Sequence, residues 1–361
     1  MKILTVVGAR PQFIKASAVS REISDRPGLG EVLVHTGQHF DANMAEVFFS
    51  ELGMRAPDHD LGIAGGGHGQ MTGRMLIALE EVVQRENPDW LLIYGDTNST
   101  LAGALVAAKL HVPVAHVEAG LRSFNRRMPE EINRIVADHT SNLLLAPTKT
   151  AVANLRQEGV PDGNVVLTGD VMYDVALHFG ALAARSSRIL EALRLAPRSY
   201  ILATVHRQEN TDDATRLAII LSAFADLPKP VVLPLHPRTR QRISAANMPL
   251  PENVRIIDPV GYLDMAQLEK NADVVATDSG GVQKEAYFHG VPCVTLRDET
   301  EWVETVELGW NRLAPPTDAS RIIMAIRNAS VEGRPTQVTK PYGDGEARKK
   351  IVDSLLQPPR G

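Results

Sequence analysis

Short runs rich in valine, isoleucine and leucine alternate with segments of helical period along the whole chain, and this alternation most constrains the fold. Because the runs are apolar almost throughout, they predict strands buried on both faces of parallel sheets, with helices packed on each side. The predicted strands are Ile3–Val7, Val32–Thr36, Trp90–Tyr94, Val112–Val117, Leu143–Ala146, Val165–Thr168, Tyr200–Val205, Pro230–Leu235, Arg255–Ile257, Asp273–Thr277 and Cys293–Leu296. The helical segments between them include Pro11–Ile23, Thr72–Arg85, Ser99–Leu110 and Asp212–Phe224.

A chain of 361 residues has room for about two domains of roughly 150 residues each. The predicted strands also exceed what one open sheet comfortably holds. We therefore expect an α/β fold with two Rossmann-like domains facing a cleft, the usual place for a ligand. The expected ranges are 1–170 and 171–344, with the boundary near Gly169–Ser186. The segment 345–361 has a helical pattern and is expected to pack back on the first domain.

Composition excludes several classes of protein. A net charge of −5 gives no electrostatic footprint for nucleic acid or an anionic membrane. No apolar run reaches the roughly 20 residues that span a bilayer, and Met1–Val7 is too short for a signal peptide, so a cytoplasmic protein is expected. The single cysteine, Cys293, excludes a disulfide framework and is expected to be a buried thiol. The 11 histidines never take a metal-ligand spacing, so no metal is expected.

The densest group of charged residues follows the predicted strand Val112–Val117. Its members are three carboxylates and four arginines, namely Glu118, Glu130, Glu131, Arg122, Arg126, Arg127 and Arg134. Carboxylates after a parallel strand and in the first turn of the next helix lie where open α/β sheets bind ligands. Pro129 followed by two glutamates is also an ordinary helix start, so one glutamate needs no functional explanation. Two of them among four arginines favour a site for an anionic, reacting ligand.

Two other strand ends in the first half carry candidate site residues. The turn Gly8-Ala9-Arg10-Pro11 lacks the G-x-G-x-x-G pattern of dinucleotide binding. Arg10 and Lys15 would point into the cleft and neutralise phosphate or orient a sugar, although a plain turn with solvated cations explains them equally well. Asp96 follows the strand Trp90–Tyr94 and is either a cleft carboxylate or the N-cap of the helix beginning at Ser99.

Histidines follow two strands of the second half. His206 and Arg207 come after one strand, and His236 comes after the next. An imidazole at such a place can donate to a phosphate or move a proton near neutral pH. A satisfied, partly buried ring is the alternative for either histidine alone, but the repetition favours a functional role.

The segment Thr277–Ala286 is the strongest local motif. It runs from a strand through small residues into a helix, whose free N–H groups and positive dipole end suit a diphosphate. Glu285, further along the helix, is placed to accept ribose hydroxyls. A capped helix with close-packed glycines is the alternative. The phosphate-binding candidates are Ser279, Gly280 and Gly281.

Together these motifs resemble those of the non-hydrolysing UDP-N-acetylglucosamine 2-epimerases, and the likeness runs nearly the whole length of the chain. The motifs are G-A-R-P, G-D-T-N-S-T, H-V-E-A-G-L-R, P-E-E-I-N-R, T-x-H-R, D-S-G-G-x-Q-x-E-A and P-Y-G-D-G at 341–345. The resemblance implies a glycosyltransferase-B-like fold, a homodimer and a UDP-binding C-terminal domain. It also implies inversion at C2 of a UDP-2-acetamido sugar without a cofactor.

The resemblance assigns roles to residues of this chain. The catalytic groups that it implies are Asp96, Glu118, Glu130 and His206. Its UDP site matches Arg10, His236, Ser279, Gly280 and Glu285. To these we add as substrate-binding candidates Lys15, Arg126, Arg127, Glu131, Arg134, Arg207 and Gly281. Departure of UDP from C1 would acidify the C2 proton, and reprotonation from the opposite face needs a second group, so several carboxylates are expected.

Departures from the family pattern bear on the substrate. Trp302 stands where T-E-R-P-E in other members has a ligand-contacting arginine, and Gln38-His39-Phe40 replaces a Q-H-R that helps to bind a second UDP-sugar. Asn125-Arg126-Arg127-Met128 is more basic than in those members. The chain thus looks more like the branch acting on UDP-2,3-diacetamido-2,3-dideoxyglucuronate, a lipopolysaccharide O-antigen precursor. We favour this uronate over UDP-N-acetylglucosamine, with Arg126 or Arg127 at its C6 carboxylate.

Three other functions remain open at this stage. A hydrolysing epimerase would release free UDP and sugar, and a retaining glycosyltransferase with the same fold would need an acceptor. A non-catalytic nucleotide-sugar sensor would bind UDP without chemistry. The clustered carboxylates favour the epimerase over the transferase and the sensor.

Overall fold

The computed structural model describes residues 1–38, 53–335 and 339–357. The chain forms two compact units, each built on one parallel β-sheet. Unit 1 consists of Met1–Leu177 and the C-terminal segment from Lys340, and unit 2 consists of His178–Thr339. The prediction of an α/β fold with two parallel-sheet domains is confirmed.

Unit 1 has a seven-stranded sheet. Its strands are β1 (Lys2–Val7), β2 (Gly30–His35), β3 (His59–Asp60), β4 (Trp90–Tyr94), β5 (Val114–Val117), β6 (Leu143–Ala146) and β7 (Val165–Leu167). Its helices are α1 (Arg10–Ser24), α2 (His68–Glu86), α3 (Asn98–Lys109), α4 (Pro129–Thr140) and α5 (Lys149–Gln157), and α6 (Val171–Ser186) leads into unit 2. The strand order is β3-β2-β1-β4-β5-β6-β7. The winding direction therefore reverses between β1 and β4, where such sheets bind ligands beyond their carboxyl ends.

Unit 2 repeats this winding in a six-stranded sheet of order β10-β9-β8-β11-β12-β13, with the reversal between β8 and β11. These strands are β8 (Ile201–Thr204), β9 (Val231–Pro234), β10 (Val254–Ile257), β11 (Val274–Thr277), β12 (Cys293–Thr295) and β13 (Asn311–Leu313). The helices are α7 (Ile189–Ala192), α8 (Gln208–Thr211), α9 (Ala214–Ala225), α10 (Pro237–Ala245), α11 (Tyr262–Asn271), α12 (Gly280–Phe288), α13 (Val303–Glu307) and α14 (Ala319–Glu332).

Burial on both faces explains the near-continuous apolar strands. All residues of β4, β5, β6, β8 and β11 are buried. In unit 2 one core cluster joins the sheet to α9 and α14, and a second joins it to α11 and α12 on the other face. The predicted strands are confirmed to within two residues at either end. Strands β3 and β13 were not predicted, because two or three residues are too few to show a pattern.

A last helix, α15 (Ala347–Leu355), returns to unit 1 and packs against α1. Asp174 on α6 caps its first turn from outside, because its carboxylate accepts from the backbone N–H groups of Ala347 at 3.1 Å and Arg348 at 3.0 Å. At the other end, the Trp90 indole donates to the Leu355 carbonyl at 3.0 Å. Two buried anchors thus hold the C-terminal helix on the first unit.

The single cysteine lies in the core of unit 2. Cys293 opens β12 and is buried, and burial raises the pKa of its thiol to about 12. It is therefore a buried, protonated thiol, as the sequence predicts. Among the described helices, none combines the length and apolar character needed to cross a membrane.

Candidate active site

Gln12 shapes the switch point of the unit 1 sheet. From the first turn of α1, its side-chain oxygen accepts from the Gly8 N–H at 2.8 Å and its amide donates to the Tyr94 carbonyl at 2.8 Å. This links the ends of β1 and β4. Gly8 lies so close to α3 that a Cβ there would be 2.1 Å from both Ser99 Oγ and Thr36 Oγ1. The first turn of the chain is therefore fixed by close packing, with no space for a side chain at Gly8.

Lys15 and Glu118 form a buried ion pair beside this turn. Their side chains are 10% and 6% exposed, so Lys15 is not a solvated surface cation. Gly95 lies against the pair, since a Cβ there would be 3.4 Å from Lys15 Nζ and 3.7 Å from Glu118 Oε2. Glu118 has a φ of +72°, a left-handed conformation that strains a residue with a side chain. Strain of this kind clusters at functional sites. Arg10, the first residue of α1, is partly exposed.

Arg134 on α4 joins two carboxylates. Its guanidinium lies 2.6 Å from Asp96 Oδ2 and 2.8 Å from Glu131 Oε2. Asp96 keeps 32% of its side chain exposed, whereas Arg134 and Glu131 are buried. Asp96 is not the N-cap of α3, because the Thr97 hydroxyl accepts from the helix at Thr100. The carboxylate of Asp96 is therefore held by an arginine and still open on one side.

The loop before α4 is anchored by Glu131. Besides the arginine contact, this carboxylate accepts from the Ser123 N–H at 2.9 Å and the Phe124 N–H at 2.8 Å. These partners are all groups of the protein, so Glu131 sets the loop conformation. Phe124 is 74% exposed, and the adjacent Arg126 and Arg127 are exposed as well. Neither of these two arginine side chains pairs with an acid in the part of the chain that the structure describes.

The three carboxylates implied as catalytic therefore come from adjacent elements with different partners. Asp96 follows β4, Glu118 follows the neighbouring β5, and Glu130 lies in the first turn of α4. The first two are paired with cations, whereas half-buried Glu130 has no hydrogen bond or ion pair to another described residue. Within the described part of unit 1, one carboxylate thus has no hydrogen-bond or ion-pair partner and two are paired with buried cations.

A buried cluster that the sequence did not indicate lies behind these carboxylates. His116 on β5 places Nδ1 2.7 Å from Asp138 Oδ1 and Nε2 2.7 Å from the Gly95 carbonyl. The other oxygen of Asp138 accepts from the Gly120 N–H at 3.0 Å and lies 2.7 Å from the Arg122 guanidinium. Burial acts to raise the pKa of Asp138, but the attraction of His116 and Arg122 outweighs it, so the pKa is lowered. Asp138 is therefore ionised.

In unit 2, Asp278 holds the turn after β8. This fully buried carboxylate accepts from the backbone N–H groups of His206 and Arg207, both at 3.0 Å, and from the Asn210 amide at 3.1 Å. Its other oxygen lies 3.7 Å from His206 Nδ1. The His206 side chain is 46% exposed. The imidazole of His206 thus has a buried carboxylate on one side and solvent on the other, which is typical of an oriented proton-transfer group.

The start of α12 has the features of an anion site. The Ser279 hydroxyl caps the helix by accepting from Val282, and the Ser279 N–H donates to the Thr277 hydroxyl at 2.9 Å. A Cβ at Gly280 would lie 2.4 Å from Glu301 Oε1, whereas Gly281 is open apart from a 3.9 Å contact. Only one of the two glycines is thus required by close packing, which leaves the other open to a ligand.

Some of the remaining candidates of unit 2 lie at the carboxyl edge of its sheet, and others are buried in its interior. His236 follows β9 and is exposed, so His206, His236 and Ser279 follow the adjacent strands β8, β9 and β11. Arg207 comes within 3.9 Å of Glu301, and Glu285 is buried in α12. The two histidines, Ser279 and Arg207 therefore place hydrogen-bond donors at this edge of unit 2.

Trp302 is buried close to the start of α12. The Lys284 ammonium lies 3.7 Å from the centre of its ring, a cation–π contact in which both side chains are buried. The second departure from the family pattern falls partly on His39 and Phe40, which lie outside the described residues. Gln38 is described, and its side-chain oxygen accepts from Ser99 Oγ at 2.8 Å.

Across residues 1–38, 53–335 and 339–357, no group of three or more histidine, cysteine, aspartate or glutamate side chains is arranged to hold a metal ion. The functional groups of both edges are instead carboxylates, imidazoles and guanidinium or ammonium cations. Such groups can transfer protons and neutralise phosphate.

The family model described as UDP-N-acetylglucosamine 2-epimerase matches residues 21–356. The chain belongs to this family. The 2-epimerase of Pseudomonas aeruginosa strain PAO1 named for UDP-2,3-diacetamido-2,3-dideoxy-D-glucuronate is 52% identical to it, over 99% of this chain and 100% of that protein. A UDP-N-acetylglucosamine 2-epimerase homolog of Methanococcus maripaludis is 49% identical, over 98% of this chain and 99% of that protein.

Solved structures of UDP-N-acetylglucosamine 2-epimerases have the same fold as this family member. The Methanocaldococcus jannaschii enzyme in complex with UDP-GlcNAc and UDP matches with a TM-score of 0.92 and 40% identity, over 98% of this chain and 99% of that one. The Neisseria meningitidis enzyme bound to UDP-GlcNAc matches with a TM-score of 0.88 and 31% identity, over 99% of this chain and 100% of that one. The expected similarity to UDP-sugar 2-epimerases is thereby confirmed.

Proposed function

We propose that this protein inverts C2 of a UDP-2-acetamido sugar without net hydrolysis, and that its substrate is UDP-2,3-diacetamido-2,3-dideoxyglucuronate. The observation that carries the reaction is the set of three carboxylates on adjacent elements of unit 1. Asp96 and Glu118 lie against buried cations and Glu130 is unpaired among the described residues. The high identity to the named Pseudomonas enzyme supports the substrate.

The chemistry begins at the anomeric carbon. The C1–O bond breaks, and its electron pair leaves with the β-phosphate of UDP. The C2–H proton, acidified by the developing oxocarbenium ion, passes to a carboxylate, and the C2–H electrons form the C1=C2 double bond of a glycal. Return of a proton to the other face of C2, with addition of the UDP oxygen at C1, gives the epimer. No electrons are gained or lost overall.

Unit 1 supplies the proton-transfer groups in this proposal. Removal and return on opposite faces of C2 need two groups, which Asp96, Glu118 and Glu130 can provide between them. Buried Lys15 and Arg134 keep the two paired carboxylates in fixed geometry. Fixed groups need no reorganisation as charge develops, which is the main source of electrostatic stabilisation in enzymes.

Unit 2 binds the nucleotide in this proposal. The N-terminus of α12 offers N–H groups and the positive end of its dipole to the diphosphate, with the hydroxyl of Ser279 beside them. His206 and His236 then assist the departing phosphate, and Glu285 accepts ribose hydroxyls. Asp278 orients the His206 ring in this proposal, since one of its carboxylate oxygens lies 3.7 Å from Nδ1.

Arg126 and Arg127 are proposed to recognise the C6 carboxylate of the uronate. Both are exposed, and neither pairs with an acid among the described residues, so a ligand carboxylate competes with no protein partner. Changing both to alanine is expected to raise KM for the uronate and to leave UDP-N-acetylglucosamine, which has no such carboxylate, unaffected. Unchanged turnover of the uronate by the double variant would contradict this role. Arg156→Ala, an exposed arginine on α5, is the matched control.

The resemblance to the family also supports a wider setting, which we propose here. The enzyme acts as a homodimer in the cytoplasm and supplies a precursor of a bacterial surface polysaccharide such as an O-antigen. Its partners are a UDP-sugar and UDP rather than nucleic acid or membrane. Sedimentation of the purified protein at micromolar concentration tests the dimer, and a monomer mass would contradict it.

A further inference from the structure

We propose that His116 is a permanently protonated, buried imidazolium that positions Asp96 and Glu118 by tying together the two turns that carry them. The catalytic importance of these carboxylates rests on the proposed function. The charge state of His116 is independent of the proposed function. His116 itself is fully buried and reaches no ligand, so it acts as a positioning residue.

The charge state follows from what the two ring nitrogens face. Nε2 lies 2.7 Å from the Gly95 carbonyl oxygen, which has no proton to give, so Nε2 donates. Nδ1 lies 2.7 Å from Asp138 Oδ1. The other oxygen of Asp138 already accepts from an N–H and contacts a guanidinium, as expected of an ionised carboxylate. Nδ1 therefore donates as well, and a ring that donates from both nitrogens is a cation.

The charges around this imidazolium balance. Arg122 contacts Asp138 and makes two further bonds of 2.7 Å to Glu158. Hydrogen bonding to Arg122 lowers the pKa of Glu158, and the exposed His139 also lies 3.0 Å from this carboxylate. Apart from His139 at the surface, the cluster holds two cations and two anions. A buried ion cluster is tolerated when its charges are paired and its remaining polar atoms are bonded, whereas loss of one member leaves an uncompensated charge.

Each end of the His116–Asp138 pair fixes one functional turn. The Gly95 carbonyl belongs to the peptide bond that leads into Asp96, so the imidazolium sets the plane of that peptide. Asp138 binds the Gly120 N–H, in the turn where Glu118 and Gly120 have φ values of +72° and +82°. Glycine adopts such a conformation freely, but a residue with a side chain, such as Glu118, seldom does so unless its surroundings hold it there. One buried pair thus holds both strand ends, β4 and β5.

The protonation state can be tested without substrate. In wild-type protein labelled with ¹⁵N-histidine, one histidine is expected to show both ring nitrogens protonated at about pH 8, where an ordinary histidine is neutral. Its signals should vanish in His116→Gln. In Asp138→Asn the same ring should become neutral, with its proton on Nε2, because the amide can donate to Nδ1. A neutral His116 in the wild-type enzyme at this pH would overturn the proposal.

Kinetics then test the positioning role. In His116→Gln the link to Asp138 is lost, and a misplacement of about 1 Å at the carboxylates is expected to lower kcat about 100-fold with little change in KM. Asp138→Asn keeps both hydrogen bonds of the ring and the contact with Gly120. The factor by which kcat falls should therefore be at least ten times smaller than in His116→Gln. Asp162→Asn, an acid on the surface of unit 1 with 71% exposure, is the control with wild-type kinetics.

Rates are compared per folded enzyme, with the folded fraction taken from thermal unfolding. A wild-type kcat in folded His116→Gln would contradict the positioning role, and so would an equal loss in both variants. If the wild-type enzyme exchanges C2–H of no UDP-sugar, the proposed function fails, and the histidine NMR still decides the charge state. The two failures are therefore distinguishable.

Discussion

Replacement of Asp278 tests how strongly one carboxylate stabilises unit 2. Asp278→Ala removes the acceptor of three donors, two backbone N–H groups and the Asn210 amide, all in a fully buried position. Hydrogen bonds to a charged group contribute about 1.5–3 kcal/mol each, so allowing for relaxation we expect a loss of about 4 kcal/mol. Asp278→Asn keeps one oxygen for these donors and should cost about 1 kcal/mol.

Cys293 provides the assay. It is the only cysteine of the chain, it opens β12 of unit 2, and burial raises the pKa of its thiol to about 12, so only an opened molecule reacts with a thiol reagent. When closing is faster than labelling, the rate follows the opened population. A loss of about 4 kcal/mol speeds labelling about a thousandfold, and 1 kcal/mol about fivefold.

The surface acid Asp298 provides the control. Its side chain is 53% exposed and pairs with Arg216, so Asp298→Asn should label at close to the wild-type rate. Labelling of Asp278→Ala at that same rate would refute the reasoning, because the buried carboxylate would then contribute nothing to the stability of the turn that carries His206.

Two further predictions concern unit 1. Because the pKa of Asp138 is lowered in the folded state, its ionisation stabilises the fold above the unfolded value of about 3.8, and this stabilisation is lost as pH falls through the folded pKa. Asp138→Asn lacks this loss, but its buried neutral His116 gains a proton on unfolding, so the unfolding free energy of the variant should already fall as pH drops below about 6.5. Acid titration of the unfolding free energy measures both effects, and identical curves for the two proteins would contradict them. Gly8→Ala places a Cβ 2.1 Å from the Ser99 and Thr36 hydroxyl oxygens and should lower the free energy of chemical unfolding by about 2 kcal/mol. Gly30→Ala, where the added Cβ meets nothing within 4 Å, should leave this free energy unchanged. Equal stability of the two variants would show that the turn at Gly8 adapts.

Much of the fold was predictable from the sequence because the sheets are buried on both faces. Each long strand is a run of apolar residues, and the carboxyl ends of those runs carry the polar residues that form the candidate site. The short strands β3 and β13 leave no such pattern, since they have only two and three residues. Local sequence pattern therefore predicts the long elements and the sheet edge that carries the candidate site.

Which side chains contact each other was harder to predict than which residues belong to the candidate site. Asp96 fits an N-cap by spacing, but Thr97 caps the helix and Arg134, 38 residues away, pairs with Asp96. His116 lies within an apolar strand, and its partner Asp138 is 22 residues further on and on the inner side of α4. The one usable signal was the histidine itself, because an imidazole buried in a central strand requires hydrogen-bond partners.

The central claim is inversion at C2 of a UDP-sugar, and proton NMR in deuterium oxide tests it most directly. The diacetamido uronate and UDP-N-acetylglucosamine are offered in separate samples. We expect deuterium at C2 and a growing anomeric signal of the manno epimer with the uronate, without accumulation of free UDP. Accumulating UDP would indicate a hydrolysing enzyme instead. No exchange in either sample, with UDP still bound, would contradict the epimerase assignment for both sugars.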